Sequence, residues 1–232
     1  MKNFNLEDIF REVINEYNYK EYKQCLFNLI VKKIENYSET PAHTLVELRK
    51  RENKTLKGFY WETFCKWYLL NVKKYSNAWL WKEIPDTVKQ FLNLTMRQDN
   101  GIDMVACKNN KYTAIQCKYK KYMSDGLATK SRSNKVTWKT LSTFVALCSR
   151  TGPWENHIVM TNCLGVGKWD IPRTPKDKTI AYNTFKNISR NDILLASDSI
   201  PINYIKDVDI KDVKDIDVKD IRELRLKYFS KV

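Results

Sequence analysis

Between Gln98 and Tyr119 the chain reads Gln-Asp-Asn-Gly-Ile-Asp-Met-Val-Ala-Cys-Lys-Asn-Asn-Lys-Tyr-Thr-Ala-Ile-Gln-Cys-Lys-Tyr, which has the pattern of two short strands and a turn. Met104 to Cys107 is an apolar run, and Asn109-Asn110 is the turn dipeptide. In the second strand Tyr112, Ala114 and Gln116 alternate with Thr113, Ile115 and Cys117. Successive strand residues face opposite ways, so Gln116 and Lys118 point to one side of the sheet. Asp103 stands at the mouth of the first strand. A carboxylate, an amide oxygen and an ammonium converging on one hairpin suggest a metal site with a catalytic lysine beside it.

Composition limits what such a hairpin can serve. The 232 residues carry a formal charge of +14, with 43% hydrophobic and 12% aromatic content. That is ample for a packed core and excludes wholesale disorder. No window holds the roughly 18 or more uninterrupted apolar residues of a membrane span. The N-terminus lacks the apolar core of a signal peptide. Six cysteines, at 25, 65, 107, 117, 148 and 163, show no Cys-x-x-Cys spacing. Buried free thiols in a reducing compartment account for them, so an intracellular protein, cytoplasmic or nuclear, is expected. The basic excess fits a polyanionic partner such as nucleic acid, and it equally fits a solvated lysine-rich surface.

Along the chain, residues 1–56 read as helical. Leu6, Ile9, Phe10, Val13, Ile14 and Tyr17 keep a helical period behind an Asn5 cap, and Cys25, Leu26, Leu29, Ile30 and Ile34 mark a second helix. Thr40-Pro41 signals a third, through Leu45 and Leu48. No catalytic constellation shows in this region, which reads as a helical cap or a DNA-facing layer; His43 reads as a surface residue. A stronger helix is expected to open at Gly58, and within it Glu62 is flanked by Tyr60, Trp61, Phe64 and Cys65. A carboxylate there either pairs with Lys66, one helical turn on, or serves a site.

Ala78–Ile84 is expected as the first strand, with a helical turn following through Val88, Phe91 and Leu92. After the hairpin comes a basic loop, then a helix over Val136–Cys148, a buried strand His157–Thr161, and a loop over 164–180. Gly165-x-Gly167-Lys168 resembles part of a phosphate loop without the full Walker spacing. From Ile205 to Asp220 an octad repeats with Ile and Val exchanged, and reads as a charged exterior segment. Helix, three strands, helix and strand in that order imply an α/β fold around a mixed sheet.

Glu62 on its apolar helix, Gly101-Ile102-Asp103, and Ile115-Gln116-Cys117-Lys118 together resemble the PD-(D/E)xK nuclease superfamily. The likeness is to its Mrr-like branch of restriction endonucleases, in which the last motif takes a Gln-x-Lys form. It covers roughly Gly58 to Asn162. The chain departs from the superfamily pattern in having no proline before Asp103 and in carrying Gln116 where an acidic ligand is usual.

The resemblance implies a restriction-endonuclease-like α/β fold, with a mixed central sheet flanked by helices and preceded by an N-terminal helical region. The domains expected are 1–56 (helical), 57–200 (nuclease) and 201–232 (the octad segment). It implies a Mg²⁺-dependent DNA endonuclease, with Mn²⁺ as a substitute ion. Glu62, Asp103, Gln116 and Lys118 would be catalytic, and Asp103, Gln116, the Cys117 carbonyl and Glu62 would hold the metal. Lys120, Lys121, Lys130, Arg132 and Lys135 would hold DNA phosphates. The partners expected are DNA, a second copy of the chain on DNA, and a separate helicase or translocase. The alternatives are a DNA-binding module that has kept the fold and lost catalysis, and the nuclease part of a larger helicase- or translocase-linked restriction system.

Overall fold

A computed structural model of the chain describes residues 5–19, 25–38, 46–94, 101–120, 135–168 and 173–197. All of them belong to one compact unit that spans Met1–Ser197. The octad repeat and His43 lie outside the described residues. Among the described residues, no helix is long and apolar enough to cross a membrane.

The helical period at the N-terminus produces α1 (Leu6–Tyr19) and α2 (Leu26–Ser38). The Asn5 side chain accepts the Glu7 backbone N–H at 3.0 Å, which satisfies one of the orphan donors at the start of α1. The next helix departs from expectation. It does not open at Gly58 but runs as α3 from Val46 to Asn71, passing through both Gly58 and the boundary expected at residue 56. A glycine weakens a helix by about 1 kcal/mol, too little to stop one whose later turns bury Trp61, Phe64, Cys65, Tyr68 and Leu69.

The sheet has five strands in sequence order: β1 (Asn77–Leu80), β2 (Met104–Lys108), β3 (Lys111–Lys118), β4 (Asn156–Thr161) and β5 (Asp177–Ile180). β1, β2 and β3 pair antiparallel, while β3, β4 and β5 pair parallel. Asn109 and Asn110, at φ 52° and 58°, make the turn between β2 and β3, and Lys108 pairs with Lys111. Positive φ at both central residues is the two-residue hairpin geometry whose twist matches the strands, and asparagine tolerates it better than most residues.

Three sequence expectations need correction. The first strand ends at Leu80, and Trp81–Glu83 turns as a 3₁₀ helix. There the Glu83 carboxylate accepts the Leu80 N–H at 2.9 Å. The helix expected over Val136–Cys148 is a 3₁₀ turn, Trp138–Thr140, followed by α5 (Ser142–Cys148). Val136 instead bridges Val166 in parallel, with N–H···O bonds of 2.8 Å to and from Gly165 and Gly167. The Gly165–Lys168 segment therefore closes a backbone bridge and makes no phosphate loop. Finally, the loop expected over 164–180 ends in β5, whose four residues were too few to read from period. His157 and Asp177 join β4 to β5 across the strands at 2.9 Å.

Both faces of the sheet are covered. Met104, Ala106, Ile115, Cys117, Ile158 and Met160 pack toward α1, α2, α3, α6 (Tyr182–Phe185) and α7 (Arg190–Ser197). Val105, Ala114 and Val159 pack toward α4 (Asp86–Phe91) and α5. Phe27 of α2 lies 5.0 Å from Phe185 and 5.9 Å from Phe64, ring to ring. The N-terminal helices thus share the main core.

Candidate functional site

The site forms where β2 begins and β3 ends. Continuing the register of Met104 with Ile115 by one residue sets Asp103 opposite Gln116. The backbone of Asp103 prolongs the ladders on both sides. Its N–H donates to the Ile115 carbonyl and its carbonyl accepts from Trp81, each at 2.9 Å. Gly101 makes the approach possible. It sits at φ +127°, and a Cβ there would stand 3.1 Å from the Phe144 backbone nitrogen of α5. Only glycine takes that backbone without strain.

The Asp103 carboxylate is 7% exposed and Gln116 only 2%. Asp103 Oδ2 accepts from Gln116 Nε2 and from the Cys117 backbone N–H, both at 2.5 Å. A buried carboxylate is costly unless it is paired or bonded, and these two donors offset part of that cost. Lys118 ends β3, partly exposed, on the side of the sheet that Gln116 faces.

Glu62 comes from α3, on the opposite layer. Lys66, weighed as its helix partner, reaches Glu83 at 2.5 Å. Glu62 is half-buried, one turn before Cys65. Burial raises the Cys65 thiol above its ordinary pKa, contact with Cys117 opposes this, and the negative charges of Glu62 and Asp103 add to it. Cys117 is pushed well above its ordinary value, first by burial, then by contact with Cys65 and by the charges of Asp103 and Glu62. The two carboxylates therefore act on the same thiol pair from two elements. Both thiols are held above their ordinary range, chiefly by burial.

Among the described residues no three His, Cys, Asp or Glu side chains cluster as a metal cage. The oxygen groups at the strand ends are of another kind: the Asp103 carboxylate, the Gln116 amide and the Cys117 backbone carbonyl, with the Glu62 carboxylate on α3. Hard oxygen donors with one or two carboxylates and several waters suit Mg²⁺ better than a cage of charged ligands does. The 2.5 Å contact brings the heads of Asp103 and Gln116 to one point, and turning the amide presents its oxygen there. The residues present fit a small divalent cation.

Of the five residues expected to hold phosphates, Lys121, Lys130 and Arg132 lie outside the described residues. Lys120 and Lys135 come together, the Lys120 ammonium donating to the Lys135 carbonyl. Two other polar residues beside the site went unread in the sequence. Glu35 of α2 is 6% exposed, yet it bonds Tyr119 at 2.7 Å and Lys57 at 2.6 Å. Asn162, just past β4, holds the Lys120 backbone on both sides, at 2.8 and 2.6 Å. The available signal for Glu35 was its place on one helical face with Asn28, Val31 and Ser38, all of them buried.

No curated protein and no solved structure matches the chain. The family model Mrr_cat_2, described as a restriction endonuclease, matches residues 70–223, about two thirds of the sequence. The match takes in all five strands and the Asp103–Gln116 pair, while Glu62 and Glu35 precede it. The chain belongs to this restriction endonuclease family.

Proposed function

We propose that the chain is a divalent-metal-dependent DNA endonuclease that hydrolyses phosphodiester bonds. The observation that carries this reading is the directly opposed, hydrogen-bonded Asp103–Gln116 pair, with Lys118 two residues on and facing the same side. Asp103, the Gln116 amide oxygen and the Cys117 carbonyl would hold Mg²⁺ or Mn²⁺, with Glu62 binding the ion or a water beside it. When bound, the cation supplies an acidified water and offsets charge on the scissile phosphate.

The remaining work falls to the protein's own side chains. Lys118 donates from its ammonium to a non-bridging phosphate oxygen and stabilises the charge that grows there during attack. Because Gln116 is neutral where an acidic ligand is usual, ion affinity leans on Asp103 and Glu62. Lys120, Lys121, Lys130, Arg132 and Lys135 hold the DNA backbone by charge, which gives affinity without sequence preference. Cutting both strands calls for a second active site, supplied by another copy of the chain on DNA.

Incubation with supercoiled plasmid tests the proposal. Nicked or linear product is expected with Mg²⁺ or Mn²⁺ and none with EDTA. Plasmid retained but uncut with either ion would refute catalysis and favour a DNA-binding module.

A further inference from the structure

Two hydrogen-bonded clamps meet the chain directly after Lys118. The last ladder pair of β3 and β4 is Lys118 with Thr161, so the next residues have no strand to hold them. Tyr119 is fixed from the helical layer, where its hydroxyl donates to Glu35 Oε1 at 2.7 Å. The other carboxylate oxygen, Oε2, takes Lys57 Nζ at 2.6 Å. The Trp61 ring meets the Tyr119 ring edge-on at 5.9 Å, and Trp61 precedes Glu62. Lys120 is fixed from the sheet, where the Asn162 side chain accepts its N–H and donates to its carbonyl. One asparagine amide thus replaces a missing strand neighbour.

A buried carboxylate held by a lysine and a phenol is a poor way to gain stability, since apolar packing of similar volume serves as well or better. It is a good way to fix one phenol in one place. A lysine that must meet a developing charge needs its backbone held to about 0.5 Å, whereas a strand end left alone frays. We propose that Glu35 and Asn162 are positioning residues for Lys118, acting through Tyr119 and Lys120. The N-terminal helices then complete the catalytic site through Glu35, and the Glu35–Tyr119–Trp61 contacts set the Lys118 strand and the Glu62 helix relative to each other. This inference rests on the nuclease reading above.

The test uses the full chain and two conservative variants, Tyr119→Phe and Asn162→Asp. Tyr37→Phe is the control; it removes a hydroxyl that donates to Glu12 at 2.5 Å between α2 and α1, and Glu12 has no bond to Tyr119 or Lys120 among those described. Single-turnover plasmid cleavage is measured with Mg²⁺, and DNA affinity separately with EDTA. At saturating protein each variant is expected to cleave about tenfold more slowly or worse, because small misplacements of a catalytic group are costly, with DNA affinity unchanged in Tyr119→Phe and lowered in Asn162→Asp only by the charge it adds beside Lys120. Tyr37→Phe is expected to match the wild type. Wild-type cleavage rates in both variants, affinity falling in step with rate, or an equal loss in the control would each overturn the inference. If Tyr119→Phe does not fold, Asn162→Asp decides alone. A wild-type chain that never cuts overturns the nuclease reading and this inference together, whereas an active wild type with unaffected variants overturns only the inference.

Discussion

Asp103 has two tasks in this fold, and they can be separated. Its carboxylate satisfies the buried Cys117 N–H and the Gln116 amide, and it is also a buried charge that the proposed cation would meet. Asp103→Ala should abolish cleavage and also destabilise the protein by about 1–3 kcal/mol, because buried donors lose their acceptor. Lys118 ends its strand partly exposed, so Lys118→Ala should abolish cleavage while stability stays within about 0.5 kcal/mol. Urea unfolding alongside the plasmid assay checks both. Equal stability losses in the two variants would mean that the Asp103 hydrogen bonds carry no weight in folding. Asp177 offers a titration test at the same scale. Burial pushes its carboxyl up, but bonds from His157 and Thr174 outweigh this and hold it below the ordinary range. A depressed carboxyl adds stability above its unfolded pKa and loses it as pH falls through the folded value. Stability of the wild type should therefore drop more steeply in acid than that of Asp177→Asn, as read from urea midpoints at successive pH.

At the scale of elements, two glycines answer differently to the same substitution. Gly58 lies inside α3, and a Cβ there would meet nothing within 4 Å. Gly58→Ala should stabilise the protein by about 0.5–1 kcal/mol, since alanine loses less entropy in a helix. Gly101 stands at positive φ against the backbone of α5. Gly101→Ala should destabilise by about 1–3 kcal/mol through strain and displace Asp103 two residues on, slowing cleavage. Thermal melts of the two variants should move in opposite directions. A shift of the same sign in both would show that backbone conformation does not separate them.

At the scale of the whole molecule, α1 and α2 are part of the main core. Leu29, Ile30, Ile34 and Phe27 are at most 1% exposed, and Phe27 packs on rings from α3 and α6. Deleting residues 1–38 should therefore remove cooperative unfolding in urea altogether. A truncated chain with a sharp transition would show a separable N-terminal domain. The charge of +14 acts at this scale as well. DNA affinity should fall linearly with the logarithm of salt concentration, and each neutralised phosphate contact among Lys120, Lys121, Lys130, Arg132 and Lys135 should flatten the slope by about 0.9. Fluorescence anisotropy at graded salt measures it.

Much of the architecture could be read from residues alone, because it rests on local signals. The period of 3.6 marked α1 and α2, and alternation with the Asn109-Asn110 turn marked the hairpin, although its first strand opens at Met104 and not at Gly101. Asp103, Gln116 and Lys118 were legible as a group because a two-residue turn and a period of 2 leave one register. Elements with weak local signals were misread: β5 is four residues long, and α3 continues through a glycine because its buried aromatic face outweighs the glycine's preference. Glu35 and Asn162 went unread in the sequence for a different reason. A glutamate on an amphipathic helix reads as solvated until other chain segments bury it, and its partners Lys57 and Tyr119 stand 22 and 84 residues away. The sequence by itself thus determined which groups line the hairpin, since their spacing follows from backbone geometry. Only the tertiary structure decided which distant side chains hold that hairpin, since burial and long-range hydrogen bonds exist only once the layers have packed.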